Sequence, residues 1–521
     1  MMKKMLPVLF ACLFSVNLSA QEDLSIAYFA GGSYKIRFGF DSAFLGGPGV
    51  RTAGLGGTLT SLSNDAAMAV GHPAALAEFD RPVSVLNMTP PVMFNAASLI
   101  EMDQAIQDGV DSALEQYNIP QSEITYPDLN IRFGQTAVGG AGAGVMPSRF
   151  GTFGFAISQP LSLTMDVVGS GLSTMIETSK DLGDAVTIVQ FATRMSPTVK
   201  LNLYSREFTA SYGYSVTPRF KVGAALDWLS TRVDLNAFFK LDGIMLLRQE
   251  GAISGLEYAF NDPYDESIRW QDGEQNTLDQ WAYGSYTGSG WGFRFSSIFH
   301  LSRSWRLDFV FSKTPNVTMA GEMEFVQNKI PALQAENMFG GDENASIFSV
   351  TDLNLAKPTL TQRFENPTGD RITLKMPGSI TFGISKRTGS RSLLALNVVQ
   401  YFGEFSYQYL NYVQGLKIKN AVRFGAEVPV AWFLSPETLL LKLLGVDPKA
   451  SLRFGFGLMT ASEIKSGFSY QSGANVNTRQ AIVLPSFALG KSFILFPGVK
   501  ADLLLFTTTA TLMKFSFTYN F

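Results

Sequence analysis

Cysteine, histidine and charge are all scarce in this sequence. Its 521 residues hold one cysteine and two histidines. That excludes a disulfide scaffold and most metal centres built on Cys or His ligands. Charged residues make up 16% and the net charge is −3, so there is no basic surface for nucleic acid. Long apolar runs are also missing. Ala481–Val499 comes nearest, and Pro485, Lys491 and Pro497 interrupt it, so no membrane helix is expected. No cofactor and no metal are expected. What the chain does have is 46% hydrophobic residues, 42 Phe and 48 Gly.

The N-terminus has the layout of an export signal. Lys3 and Lys4 precede the apolar core Leu6–Val16, and Leu18-Ser19-Ala20 ends on a small residue. Cleavage before Gln21 makes 1–20 a signal peptide and removes Cys12 with it. A lipoprotein site at Leu9-Phe10-Ala11-Cys12 is the competing reading, and the apolar run before it is short. A mature chain without cysteine suits an oxidising compartment whose disulfide chemistry it does not use.

The last stretch alternates strictly. Met513, Phe515, Phe517, Tyr519 and Phe521 fall on one face of a strand, and Lys514, Ser516, Thr518 and Asn520 on the other. Phe220–Trp228, Trp291–His300, Trp305–Ser312 and Ser451–Leu458 repeat the pattern, with charged or small residues off-face. One such strand fits the edge of a soluble sandwich as well as a lipid-facing wall. Loop lengths separate the two. Short turns at Met146–Phe150, Val216–Arg219, Leu301–Trp305, Arg387–Ser390 and Leu489–Ser492 alternate with insertions at Ala96–Tyr126, Gly169–Ser196, Leu241–Gly288 and Gln327–Asp370. Short turns at one end and long loops at the other define an outer-membrane barrel. The expected fold is therefore all-β, a transmembrane antiparallel barrel of about 14 strands over 81–521. Strand starts are expected near Val83, Asp128, Gly151, Val199, Arg219, Trp291, Trp305, Ile372, Leu393, Ala421, Ser451, Ile482, Phe493 and Thr511. Pro436–Pro448 is a long apolar stretch where this threading needs a short turn.

Residues 21–80 differ from the rest. Gly54, Gly56, Gly57, Asp65, His72 and Pro73 sit among small residues that allow close backbone approach. They are expected to form an N-terminal plug. Leu99, Met102, Ile106, Val110, Ala113 and Tyr117 have helical spacing, as do Leu172, Met175, Ile176, Leu182, Val186 and Val189. Both insertions are expected to carry amphipathic helices, either packed on the rim or serving a ligand.

Other groups carry less. Gly139–Gly144 lacks a phosphate-loop register and fits strand glycines near a bulge. His300-Leu301-Ser302 places its histidine on the lumen face and its serine at a turn, a poor hydrolase pair, so no catalytic residue is expected. The acidic loop with Asp262, Asp265, Glu266, Asp272, Glu274 and Asp279 matches no calcium-loop spacing. Arg294, Arg306 and Arg453 point inward, with Arg219, Lys221, Asp227, Asp308 and Lys514. They either bind barrel to plug or hold a ligand carboxylate.

Several phrases resemble the FadL/TodX family of outer-membrane transporters for fatty acids and hydrocarbons. These are the Gly-rich run Arg51–Gly57, then Asn64-Asp65-Ala66-Ala67, then His72-Pro73-Ala74 where Asn-Pro-Ala is usual. Tyr212-Gly213-Tyr214 with Thr217–Gly223, Ser289–Gly292 with Gly321–Glu324, and Leu374–Ser379 are similar to later family phrases. The resemblance implies an outer-membrane channel for passive uptake of hydrophobic molecules such as long-chain fatty acids or hydrocarbons. It implies ligand capture by extracellular helices, here Leu99, Met102, Ile106, Val110, Met175, Ile176 and Val186, and release by plug movement. The implied partners are the apolar ligand, outer-membrane lipid and lipopolysaccharide, and the barrel assembly machinery, whose signal the terminal Phe521 resembles. A related branch of such barrels is a protein-binding shuttle of type IX secretion. That is the alternative function, with the long loops as its partner surface.

Overall fold

The computed structural model describes residues 24–30, 32–42, 49–59, 65–90, 93–95, 128–134, 139–181, 186–249, 256–260, 280–328, 359–363, 370–388, 392–409, 412–429, 451–469, 474–478, 481–496, 499–507 and 511–520. A closed wall of 14 antiparallel staves surrounds a short, mostly helical plug. The first six staves are Val83–Thr89 with Met93–Asn95, Asp128–Gly134 with Gly139–Ser148, Gly151–Ser170, Val186–Thr217, Phe220–Gln249 and Gln280–His300. The next three are each made of two strands: Trp305–Lys313 with Val317–Asn328, Asp370–Lys375 with Gly378–Thr388, and Ser392–Phe402 with Phe405–Tyr409. Tyr412–Pro429, Ser451–Ser469, Ala481–Phe496, Val499–Thr507 and Thr511–Asn520 complete the circuit. The last stave closes on the first, from Phe515 opposite Met88 to Asn520 opposite Val83. Closure leaves the sheet no free edge, which is how a strand wall keeps its backbone groups paired within a membrane. Among the described residues no helix is long and apolar enough to cross a membrane.

The period-two pattern decides which way each side chain points. Phe153, Phe155 and Ile157 on stave three face outward, as do Leu226 and Trp228 on stave five and Trp291, Phe293 and Phe295 on stave six. Phe155 is 61% exposed and Trp291 65%, a surface that only lipid would stabilise. The band stops where Arg206 and the exposed Arg232–Asp234 pair face outward. By the turn rule of outer-membrane barrels, the short-turn end at Ser148–Gly151 and Thr217–Phe220 is periplasmic.

Two expectations fail. Leu489–Ser492 is not a turn but lies inside stave twelve, where Gly490 pairs with Arg453 and Lys491 with Leu452. Gly490 and Lys491 resemble turn residues, yet neighbours on both sides hold them, and the hairpin closes at Phe496–Val499. The second amphipathic helix is also absent. Met175 and Ile176 lie on a strand, Leu172–Asp181, and Val186 opens stave four. Thr174, Ile176, Thr178, Thr187, Ile188 and Val189 are β-branched, and that strand is paired on one side by Leu24–Ala30 and on the other by the top of stave four. Leu99, Met102, Ile106 and Val110, the acidic loop from Asp262 to Asp279, Phe521 and Pro436–Pro448 lie outside the described residues.

Strands before the plug join the wall. Ser33–Ser42 pairs antiparallel with the upper half of stave three and parallel with Asp128–Gly134. It forms an extra strand between staves two and three at the extracellular end. The compact part of the plug is the helix Val50–Gly54, the helix Met68–Gly71 and the 3-10 turn Pro73–Glu78.

Candidate functional site: the lumen

From the periplasmic side upward, the lumen holds the plug and its polar attachments, a small cavity, and an apolar collar. All of the sequence-predicted plug residues lie in the first layer. Gly54 ends the first helix against Arg453 and Leu504. Gly56 and Gly57 have φ of 68° and 78°. At Gly56 a Cβ would also stand 2.7 Å from the Phe424 carbonyl oxygen, so both conformation and space require glycine. Asp65 accepts the Ala67 N–H at 3.0 Å, and burial pushes its carboxyl up while Arg51 opposes the rise. Pro73 starts the 3-10 turn, whose backbone presses on stave five at Gly223. A Cβ there would lie 2.3 Å from the Ala74 nitrogen.

Each plug element is fastened to the wall by a buried polar contact. Arg51 donates to Glu427 on stave ten at 2.7 Å. Arg453 joins Glu427 at 3.2 Å to Asp502 at 2.8 Å, and its side chain is 1% exposed. Arg294 donates to Glu207 at 2.6 Å, to Asp227 at 3.1 Å and to the Val70 carbonyl at 2.6 Å. Arg423 donates to the Gly57 carbonyl at 2.8 Å and to Tyr401 Oη at 2.7 Å. Ala74 N–H donates to Ser296 Oγ at 2.7 Å. Glu78, at the end of the 3-10 turn, receives Arg306 at 2.7 Å, His300 at 2.9 Å and Lys221 at 3.1 Å. Burial alone would push the Glu78 carboxyl up. The hydrogen bond from His300 and the charges of Arg306 and Lys221 outweigh it and bring the group down to about 2. His72 is fully buried with Nε2 3.5 Å from Asp308 Oδ1.

The three predicted lumen cations therefore occur in three separate groups, each with carboxylates of its own. Arg306 and Arg294 fasten the plug directly. Arg453 does so through Glu427, which it shares with Arg51. Sequence reasoning missed the carboxylates Glu78, Glu207, Glu427 and Asp502 and the cations Arg51 and Arg423. Part of the signal was present: Glu427 shares a lumen-facing parity with Arg423, and its ladder partner on stave eleven is Arg453. His300 and Ser302 have separate partners. His300 faces Glu78, and Ser302 Oγ accepts the Ser304 and Trp305 N–H groups in the turn.

Above the plug lies a cavity of about 140 Å³. Val50 and Val70 of the plug form its floor, Gln159 and Pro160 of stave three one side, and Leu229 and Met376 part of its upper lining. Pro160 marks a fault in the wall. The ladder between staves two and three ends at Gly142–Ile157, and the ladder of stave three with stave four shifts between Ser158 and Leu161. Over the cavity sits an apolar cluster of Leu161, Leu229, Tyr286, Val317, Met319, Leu374 and Met376, all 4% exposed or less. Every one projects into the lumen.

Comparison with known protein families and with curated proteins returns no match. Among solved structures, the chain is similar to the Ralstonia pickettii toluene transporter TbuX at 12% identity and TM-score 0.43, over 92% of this chain and 99% of that one. It is similar to a Pseudomonas aeruginosa FadL homologue at 12% identity and TM-score 0.41, over 91% and 98%. It is also similar to the P. putida toluene transporter TodX at 11% identity and TM-score 0.39, over 92% and 99%. The barrel assignment stands on the closed ladder and the lipid-facing band of this chain itself.

Proposed function

We propose that this barrel sits in the outer membrane and admits hydrophobic molecules passively, without catalysing a reaction. The observation that carries this is the apolar lumen of the extracellular half. A porin for polar solutes lines its channel with polar groups, whereas this lumen turns seven buried side chains, six of them aliphatic, toward the axis. An apolar molecule leaving water would gain about 25 cal/mol for each Å² it buries there. Capture belongs to the extracellular insertion with Leu99, Met102, Ile106 and Val110. From the collar the ligand passes into the cavity above Val50 and Val70. Release takes place by local movement of the plug beneath that cavity. The wall fault at Gln159-Pro160 borders the same cavity and offers a competing lateral route. Bilayer lipid and lipopolysaccharide surround the wall, and the barrel assembly machinery inserts it.

The test is mass spectrometry of apolar molecules retained by the purified full-length barrel, together with uptake of hydrophobic carbon sources by cells with and without the gene. A retained lipid or hydrocarbon and an uptake defect are expected. A barrel that retains none, with unchanged uptake on deletion, overturns the proposal. Copurification of a secreted protein instead would favour the shuttle function.

A further inference from the structure

Staves seven, eight and nine are all broken at the same height. Thr314-Pro315-Asn316, Met376-Pro377 and Gly403-Glu404 separate the lower from the upper strand in each. The ladders on both sides of the break stay aligned: Ser312 pairs with Ser379 below, Val317 with Leu374 above, and likewise Gly378 with Phe402 and Lys375 with Ser406. The cause is in the sequence. Pro315 and Pro377 have no N–H to give the ladder, and Gly403 has φ of 84°. Stave ten follows with a register shift between Ile418 and Asn420.

The broken segment leans inward. On stave six, Gly290 and Gly292 face the lumen, and a Cβ on either would meet Pro315 at 2.9 and 2.8 Å. Only bare backbone on stave six leaves room for it. The lean carries Val317, Met319, Leu374 and Met376 to 3% exposure or less, against Leu161, Leu229 and Tyr286. Met376 and Leu229 also line the cavity, so collar and cavity roof share residues.

We infer that this inward fold is the size filter of the lumen, with Val317, Met319, Leu374 and Met376 as its specificity-determining residues. The role presupposes the hydrophobic uptake proposed above and deepens it to a substrate class. The cavity of about 140 Å³ beneath it, lined by Glu207, Arg294, Arg423 and Lys514 as well as by apolar side chains, is close in volume to the engineered cavity of about 150 Å³ that holds one benzene. Met319 and Met376 are unbranched and swing aside more easily than β-branched side chains. The filter therefore passes single-ring compounds and alkyl chains entering end-on, and rejects fused polycyclic compounds.

The experiment uses full-length barrel in intact cells and radiolabelled benzene, naphthalene and phenanthrene. In the double variant Met319→Ala with Met376→Ala, the rate ratio of phenanthrene to benzene is expected to rise about tenfold, the scale on which apolar pockets discriminate by size. An unchanged ratio in a folded barrel, verified by its heat-dependent shift on gels, overturns the filter. A second readout does not depend on transport. The mature chain expected from the signal peptide has no cysteine, so Leu229→Cys gives one reporter on the cavity-facing side of the collar. Methyl methanethiosulfonate added from outside is expected to modify it, while fluorescein maleimide is expected to react only in the Met319→Ala, Met376→Ala background. Equal reaction with both reagents in the parent overturns the filter. If the labelling pattern holds but no hydrocarbon enters faster than in cells lacking the gene, the filter stands and the uptake function falls.

Discussion

The two halves of the lumen solve opposite problems with one wall. Toward the periplasm, inward positions carry Lys221, Asp227, Arg294, Arg306, Glu427 and Arg453, and the plug is attached to them. Toward the extracellular end, inward positions carry Leu161 on stave three, Leu203 on stave four, and Leu229 and Val233 on stave five. On stave five, Asp227 belongs to the polar layer, and Leu229, the next inward position, belongs to the collar. The change of chemistry takes one inward step along a strand. A polar layer fixes geometry because a buried charge tolerates little displacement from its partner. An apolar layer has no such directional demand and can part and rejoin. The half that holds the plug is therefore the directional one, and the apolar half above it is not.

The sharpest way to break this comparison is Arg453→Met. It leaves Glu427 and Asp502 buried with part of their countercharge removed, and we expect a loss of about 3–5 kcal/mol, read as the unfolding midpoint in detergent. Stability no lower than for a collar variant would refute the division into a rigid and a yielding half. Next is Phe517→Asp on the lipid face, where we expect a cost of about 2 kcal/mol and a reduced yield of membrane-inserted barrel. Ser516→Ala removes one hydrogen bond to Asp502 and is expected to cost about 1 kcal/mol. Equal yields at the two positions would contradict the assignment of faces.

The third test concerns Glu78. Its folded carboxyl sits at about 2, below the ordinary 4.5, so its contribution is complete above 4.5 and is lost as pH falls toward about 2. Protection of the plug from protease, with the wall intact, should hold from neutrality to about pH 5 and fall below it. Glu78→Gln should lower protection at neutral pH and abolish that acid step. An acid step that survives in the variant would place the titrating group elsewhere. The smallest effect belongs to Arg232→Ala. That arginine pairs with Asp234 on the exposed outer surface, and no measurable change in unfolding midpoint is expected.

Much of the wall was legible because period-two alternation is a local signal. Thirteen of the expected strand starts fall in distinct staves. The error at Phe493 arose because Leu489-Gly490-Lys491-Ser492 has turn composition, while Ser492 is in fact buried and bonded to Ser451. The helical spacing of Leu172–Val189 was real but was overridden by pairing with Leu24–Ala30, a partner about 150 residues distant that no window reveals. The lumen cations were visible by parity. Their partners were not, since Arg51 and Glu427 meet across 376 positions. The collar was hidden for a different reason. Pro315, Pro377 and Gly403 are far apart in sequence, and only the ladder shows that they lie side by side.

The position of the plug in the chain constrains how the protein is built. Ser33–Ser42 lies in the wall on one side of the plug, and Val83 opens the first stave on the other. The plug is tied to the wall at both ends, and its second tie leads into the seam where the final stave docks. A finished barrel could admit it only by drawing a loop through a closed ring, which chains almost never do. Assembly must therefore wrap the wall around the plug, with the pairing of Thr511–Asn520 to Val83–Thr89 as the closing event. Arg51, Glu78 and the carbonyls of Val70 and Gly57 are the plug groups to which staves five, six, seven and ten are bonded once the wall has closed.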